Sequence, residues 1–379
     1  MEKKGAAMPP LNMLIKPASS SCNLRCKYCF YSSIADNRNI KSYGIMSIET
    51  LETIAEKAFA YAEGFVSFAF QGGEPTLAGL EFFEKLVELQ KKYNTKNIQV
   101  FNSLQTNGVK IDEKWASFLA KNNFLVGISL DGPKDIHDSN RIDVNSNGSY
   151  KNVMNAIKLF DKYQVQYNIL CVINSRVARH VNKVYDFFKK NNFNYLQFIP
   201  CLDGIDEKLG SNPYSLKPEA YEAFLKTIFD LWYRDVVQGQ GISIRYFDNL
   251  ISMFLGNPPE ACGMSGSCTC QFVIESDGGV YPCDFYAEDN WYLGSIKEMG
   301  FKDIKEGEKV KSFIEKSRVV DPKCKQCKWL GLCRGGCRRN REPVIEGKLS
   351  LNYFCTSYYE FFNYAVPRLQ QIARSLSHK

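Results

Sequence analysis

The sequence predicts an α/β chain: a partial (β/α)6 barrel, then a C-terminal cysteine-rich auxiliary domain, then a terminal helix. Three observations carry that reading. Strand-like apolar runs alternate six times with amphipathic helical ones over the first two-thirds of the chain. The rhythm stops near residue 240, where Cys, Gly and Pro crowd in. An aromatic helical pattern, "YYEFFNYAVPRLQQIARSL", follows. The boundaries expected are 8–240, 241–360 and 361–379.

The elements follow in order. "NMLIKPA" reads as a strand and "SIETLETIAEKAFAYA" as a helix. In that helix Ile48, Leu51, Ile54, Ala55, Ala58 and Phe59 share one face, and Ser47 is suited to cap it. "FVSFAF", "IQVFNSLQT", "FLVGISL", "VQYNILCVI" and "YLQFIP" read as strands. Their helices are "LEFFEKLVELQKKY", "DEKWASFLAKN" with Asp112 as N-cap, "YKNVMNAIKLFDKY", "HVNKVYDFFKKN" and "PEAYEAFLKTIFDLWYRDVV". Repeated βα units imply a parallel sheet. Six of them suit a curved, partly open barrel rather than a closed eight-fold one, and the pattern alone leaves a doubly wound open sheet as the alternative. "CQFVIESDGGVYPCD" reads as a hairpin turning at Asp277-Gly278. Residues 256–337 lack long apolar runs, so metal sites would have to supply the missing stability.

Composition narrows the function. With 379 residues, 45% hydrophobic and 13% aromatic, the chain can bury an ample core. No window approaches the ~18 uninterrupted apolar residues of a membrane span. The apolar run near the N-terminus, in "MEKKGAAMPPLNMLIKP", is too short and too Pro-flanked for a signal peptide, so a reducing cytoplasm is expected. The net charge of +7 is spread without one long basic run, which disfavours nucleic acid. Fourteen cysteines are about 4% of residues, below the ~8–10% of small disulfide scaffolds, and point to metal or redox chemistry. Histidine is scarce: His137, His180 and His378 argue against a His-ligated metalloenzyme or a Ser-His-Asp hydrolase. His137 and His180 read as helix-start or surface residues, and His378 is expected to play no part.

Cys22, Cys26 and Cys29 stand in "CNLRCKYC" as C-x3-C-x2-C, directly after the first strand. The loops at the C-terminal ends of parallel barrel strands are where such folds place their chemistry. Closed structural zinc sites want four ligands. Three thiolates can hold three irons of a 4Fe–4S cubane and leave the fourth iron open to a small molecule. A zinc knuckle completed from afar is the alternative.

With Tyr28 before its last cysteine, this loop resembles the signature of the radical S-adenosylmethionine enzymes. The resemblance implies that the cofactor's amino and carboxylate groups chelate the open iron. Reductive cleavage would then yield a 5′-deoxyadenosyl radical that abstracts a hydrogen atom. "QGGEP" (Gln71–Pro75) resembles that family's GGEP segment, which implicates Gly72, Gly73 and Glu74 beside the methionine end of the cofactor. The same resemblance gives Ser129, in "GISLDGP", and Arg141, in "HDSNRID", to the cofactor, and Leu202 to its adenosine part.

Downstream, Cys262, Cys268, Cys270 and Cys283 precede "CKQCKWLGLCRGGC" (Cys324, Cys327, Cys333, Cys337) and then Cys355. This resembles the twin-cluster SPASM auxiliary domain of radical enzymes that modify peptides. It implies Cys262, Cys268, Cys283 and Cys337 around the inner cluster, and Cys324, Cys327, Cys333 and Cys355 around the outer one. Positions i and i+2 of an extended chain point the same way, so Cys268 against Cys270 stays open. Cys171 and Cys201 read as small core residues. Arg334, Arg338, Arg339 and Arg341, interleaved with these cysteines, could offset thiolate charge. Structural zinc uses the same ligands and remains the alternative.

Nearly the full chain resembles the anaerobic sulfatase-maturating enzymes, most closely the cysteine-type members. The resemblance implies three 4Fe–4S clusters and S-adenosyl-L-methionine, consumed to methionine and 5′-deoxyadenosine. It implies oxidation of a sulfatase Cys (Ser being left open) within a C/S-x-P-x-R segment to formylglycine. It also implies a reduced flavodoxin- or ferredoxin-like electron donor. The peptide would enter at the C-terminal mouth of the barrel, on the Cys283 side of the second domain. Asp284, in "YPCDFY", would be the general base. The chemistry asks for one, because finishing the oxidation after loss of a Cβ hydrogen requires removal of the thiol proton and one more electron. The rivals are a peptide cross-linking maturase and a zinc-stabilised binding module.

Overall fold

The computed structural model describes residues 9–205, 207–345 and 348–377; Met8 and His378 lie outside them. The six long strands are β1 (Leu11–Ile15), β2 (Phe65–Phe70), β3 (Gln99–Thr106), β4 (Phe124–Ser129), β5 (Gln166–Ile173) and β6 (Tyr195–Pro200). They pair in sequence order, every pair parallel. A doubly wound sheet would reverse its order partway across. This one does not, so right-handed crossovers bring every helix to the same face and the sheet curls into the partial barrel.

Local signals account for the elements. The Ser47 hydroxyl accepts from Thr50 N at 3.2 Å and caps the helix Ile48–Tyr61. The Asp112 carboxylate accepts from Trp115 N at 2.9 Å ahead of Glu113–Lys121. Along β2, Val66, Phe68 and Phe70 are buried, and Phe70 packs on Phe82 and Phe83 of the helix Leu80–Tyr93. The alternate residues Ser67 and Ala69 are half-buried on the other, concave side. β2 leads along its length to Gln71.

The sheet does not stop near residue 240. β7 (Ser243–Ile244) adds in parallel beside β6. At the opposite edge, β8 (Val273–Ile274) pairs in parallel with β1, and β9 (Gly279–Tyr281) and β10 (Gly294–Ser295) follow antiparallel. The predicted hairpin is β8–β9, with Gly278 at φ +97° in its turn. Ten strands therefore form one sheet that joins the barrel to the cysteine-rich region. Two-residue strands are too short for periodicity to reveal. The seven-residue helix Phe30–Asp36 behind the cysteine loop escapes the pattern as well.

The C-terminal helix, Cys355–Ser377, packs on the helix Pro218–Val237. Tyr364 OH and Arg368 Nη1 both donate to the Asp230 carboxylate, at 2.6 and 2.8 Å, and Phe361 meets Phe229 with ring centroids 5.8 Å apart. Among the described residues no helix is long and apolar enough to cross a membrane.

His180 stands exposed at the start of the helix Val181–Lys190, as its sequence context predicts. His137 departs from expectation, because it is fully buried. Its Nδ1 accepts from Asp131 N at 3.2 Å and its Nε2 lies 2.9 Å from the Ser149 hydroxyl, so the neutral ring is satisfied without solvent. Burial pushes its pKa down to about 3. Because the folded value lies below the unfolded one, protons favour the unfolded chain. The contribution is intact above pH ~6.5 and is lost as pH falls, by about 2 kcal/mol at pH 5. Urea midpoints at pH 7 and pH 5 should therefore differ less in His137→Gln than in the wild type; an equal difference contradicts this.

Candidate active site

The loop carrying Cys22, Cys26 and Cys29 runs from β1 to the helix Phe30–Asp36. Arg25 N donates to Ile142 O at 2.6 Å and Lys27 N to Asn140 O at 3.0 Å, tying the loop to the segment after β4. Leu24 N and Asn107 Nδ2 approach the Cys22 sulfur at 3.4 and 3.7 Å. Burial pushes the Cys22 thiol up to about 11 and the Cys26 thiol up to about 12. Left bare, these sulfurs would keep their protons at neutral pH; iron supplies the positive charge that lets them ionise. Cys22 and Cys29 both lie close enough to Cys26 to add to the effect of burial, so the three thiols share one place, and three thiolates together suit a cubane with one iron left open.

The QGGEP segment closes against this loop. Gly72 and Gly73 have φ of +112° and +55°. A Cβ on Gly73 would collide with the Ser21 carbonyl and lie 2.7 Å from that of Ser19, while one on Gly72 would lie 2.8 Å from Lys16 Cγ. The chain itself needs the room here. Glu74 N donates to Ser21 O at 2.8 Å. Its buried carboxylate accepts from Asn107 N (2.8 Å), the Thr106 hydroxyl (2.7 Å), and the N and hydroxyl of Thr76 (3.1 and 2.7 Å). Burial raises the Glu74 pKa against these donors. With its side chain so occupied, any cofactor contact of Glu74 falls to its main chain.

Ser129 is buried at the end of β4. Arg141 forks onto Asp131, Nε to Oδ2 at 3.0 Å and Nη2 to Oδ1 at 3.2 Å. Tyr28 OH donates to the same carboxylate, and the Arg141 guanidinium lies 5.5 Å from the Tyr28 ring centroid. Asp131 thus fixes both residues beside the cysteine loop, a role that sequence reasoning missed although "SLDGP" contains it. Leu202 is half-buried just past β6.

Asp284 follows Cys283 in a short 3-10 turn and is buried. One carboxylate oxygen pairs with the Lys16 ammonium and the other accepts from Gln71 Nε2 at 2.8 Å. Lys16 lies just past β1, with its ammonium 3.7 Å from the centroid of the Tyr31 ring. Tyr31 OH donates to Glu275, which Arg38 Nη1 also reaches at 2.7 Å. Sequence reasoning did not single out Lys16, Gln71, Tyr31, Glu275 or Arg38. The available signals were a lysine ending an apolar strand, and the glutamine of QGGEP.

The remaining thiols fall into two groups. Burial raises the pKa values of Cys268, Cys283 and Cys337, and Cys262 lies near enough to each of them to add to the rise. Burial likewise raises Cys324, Cys333 and Cys355, and Cys327 lies near enough to each of those three to add to the rise. Cys270 has no cysteine among its electrostatic neighbours and packs on the hydrophobic core, so the inner group contains Cys268 instead. Among the described residues no group of three or more His, Cys, Asp or Glu side chains is drawn together around a single point. Arg338 and Arg341 are buried and both favour the Cys268 thiolate. The Arg338 guanidinium is caged 5.1, 4.9 and 4.5 Å from the ring centroids of Tyr286, Trp291 and Phe313. Cys171 and Cys201 are buried in the core.

A barrel with a three-thiol loop at its mouth, followed by two four-thiol groups, defines a radical S-adenosylmethionine enzyme with an auxiliary cluster domain. Residues 17–188 match the radical SAM superfamily and residues 265–328 the SPASM iron-sulfur cluster-binding domain. The cysteine-type anaerobic sulfatase-maturating enzyme of Clostridium perfringens is 57% identical, covering 97% of this chain and all of its own. That of Clostridium novyi is 53% identical over 98% of this chain and all of its own, and the serine-type enzyme of Bacteroides thetaiotaomicron is 33% identical over 98% and 93%. A solved structure of native anSMEcpe with bound AdoMet and Cp18Cys peptide superposes with a TM-score of 0.93 at 56% identity, covering 97% of this chain and all of that one. Streptococcus suis SuiB bound to its precursor peptide SuiA, 16% identical with a TM-score of 0.65 over 92% of this chain and 76% of that one, shares the fold. The chain belongs to the anaerobic sulfatase-maturating enzyme family. Its cofactors are three 4Fe–4S clusters and S-adenosyl-L-methionine.

The glycine geometry has a measurable consequence. Gly73→Ala should cost at least about 2 kcal/mol and loosen the first cluster, through left-handed strain plus a backbone clash. Gly239→Ala, at φ +71° with nothing near its Cβ position, should cost only about 1 kcal/mol. Anaerobic urea midpoints and iron retention on dilution compare the two; equal losses contradict the clash.

Proposed function

We propose that this enzyme oxidises a cysteine in a C-x-P-x-R segment of a sulfatase to formylglycine, with Asp284 taking the thiol proton. The observation that carries the assignment is the grip on Asp284. Lys16 and Gln71, at the ends of β1 and β2, hold its two oxygens at the barrel mouth, one residue from Cys283. The peptide bound in the anSMEcpe structure and the cysteine-type label of the relatives above half identity support this substrate over a cross-linked ribosomal peptide.

Cys22, Cys26 and Cys29 would hold the cofactor-binding cluster, and the two four-cysteine groups the auxiliary clusters. Together with S-adenosyl-L-methionine these groups supply one-electron chemistry, by which a hydrogen atom leaves the substrate Cβ and one further electron is taken up. Tyr28, the main chain of Gly72, Gly73 and Glu74, Ser129, Arg141 and Leu202 would line the cofactor's seat. Asp284 accepts the S–H proton, leaving a thioaldehyde that water converts to the aldehyde with release of hydrogen sulfide. Gln71 keeps the carboxylate turned toward the mouth, and the Lys16 ammonium offsets its charge where an unpaired anion would be costly. A reduced flavodoxin- or ferredoxin-like protein would deliver electrons, and the unpaired cysteines suit a reducing cytoplasm.

Asp284→Asn should keep the iron content of the wild type and lose formylglycine formation by at least about 100-fold. Mass spectrometry of a C-x-P-x-R peptide after anaerobic turnover reads the outcome. Undiminished aldehyde would remove Asp284 from the role.

A further inference from the structure

Lysine is almost never fully buried unless it is paired. Lys16 has no solvent exposure, although its side chain ends beside a reaction site. Its backbone N donates to Ile274 O at 2.8 Å, so it stands at the seam between β1 and β8. Its stem runs under Gly72, where a Cβ would lie 2.8 Å from Cγ and 3.0 Å from Cδ. The ammonium sits over the Tyr31 ring and pairs with Asp284. Glu275, the other acid nearby, is already engaged by Tyr31 OH and by Arg38 Nη1 at 2.7 Å. The pair is lopsided: the lysine side chain is 0% exposed and that of Asp284 is 9%. The cation is sealed in, and what little exposure the pair retains belongs to the carboxylate side.

Stability alone is a weak reason for such an arrangement, since a buried ion pair can often be replaced by apolar residues without loss. Geometry gives a stronger one. With Oδ1 held by Lys16 and Oδ2 by Gln71, the carboxylate cannot turn, and only its remaining lone pairs face outward. A general base works only within hydrogen-bond reach of its proton.

Resting on the reading of Asp284 as the base, we infer that Lys16 is the positioning residue that couples thiol-proton removal to cofactor consumption. In the step it governs, the substrate S–H bond breaks, an O–H bond forms on Asp284, and the bonding electrons stay on sulfur. The Cβ hydrogen and the last electron leave as described under the proposed function. Lys16 neither gains nor loses a proton. Without its hold, the hydrogen atom still leaves Cβ but the proton transfer lags; the Cβ radical is then quenched by one electron from the reduced donor protein and a proton from water, and the cofactor is consumed without aldehyde.

The test uses the full chain, loaded anaerobically with its clusters, and a C-x-P-x-R peptide deuterated at the cysteine Cβ. Deuterium in 5′-deoxyadenosine, total 5′-deoxyadenosine, formylglycine and the peptide KM are all measured. In Lys16→Met the deuterium transfer and KM should persist, while formylglycine kcat falls about 10- to 100-fold. The ratio of 5′-deoxyadenosine to formylglycine should rise by the same factor. Lys16→Gln, which keeps a donor but no charge and leaves the carboxylate bonded if Lys16→Met loads poorly, should fall between. A purely structural lysine would lower both products together, so a wild-type ratio in both variants overturns the inference. Asp284→Asn measured alongside separates the two readings. If it makes formylglycine with wild-type coupling, the base assignment fails; if it uncouples while both Lys16 variants stay coupled, only the role of Lys16 fails.

Discussion

The parallel seam between β8 and β1 is the constraint from which the site follows. Leu14 N donates to Phe272 O at 3.2 Å and Lys16 N to Ile274 O at 2.8 Å, setting Leu14 opposite Val273 and Ile15 opposite Ile274. Each such bond adds only about 1 kcal/mol net. The hairpin behind them is nonetheless buried, with Val273, Ile274 and Val280 at 0% exposure and Tyr281 at 1%. A hairpin held this way cannot slip by one residue without turning its apolar side chains to the wrong face. It therefore delivers Cys283 and Asp284 to a fixed place at the mouth. The cysteine-rich region is built onto the edge of the barrel sheet.

Around that seam, the buried charges are matched one by one. Lys16 meets Asp284, Arg38 and Tyr31 meet Glu275, Arg141 and Tyr28 meet Asp131, and four donors meet Glu74. Breaking one partner from a buried pair costs about 3–5 kcal/mol, because the other is left uncompensated. The same matching makes the mouth stiff, so the functional groups are oriented before any substrate arrives. The glycines of QGGEP belong to this arrangement: they let one loop lie on another and on the lysine stem beneath.

Much of this was legible in the sequence. The long strands and their helices showed because alternation and the 3.6-residue period persist over whole elements, and Ser47 and Asp112 act as the caps their positions imply. What stayed hidden has physical reasons. β7, β8 and β10 are two residues each, too short for any period. The partner of Lys16 lies 268 residues along the chain, and no local signal announces a contact at that separation. His137 looked like a surface residue because polarity suggests exposure, yet two hydrogen bonds make its burial tolerable. Cys268 and Cys270 share one side of an extended strand on paper; only the fold sets Cys270 against the edge of the core, away from the other thiols.

Where the substrate sulfur sits relative to Asp284 decides whether that carboxylate can take the thiol proton. A crystal structure of the cluster-loaded chain with S-adenosyl-L-methionine and a cysteine-containing C-x-P-x-R peptide, grown without oxygen, measures this directly. The peptide cysteine Sγ should lie within hydrogen-bond reach of the Asp284 carboxylate, with Lys16 and Gln71 still holding its two oxygens. A peptide seated with its cysteine away from Asp284, or a carboxylate released from Lys16 and turned aside, would contradict the account.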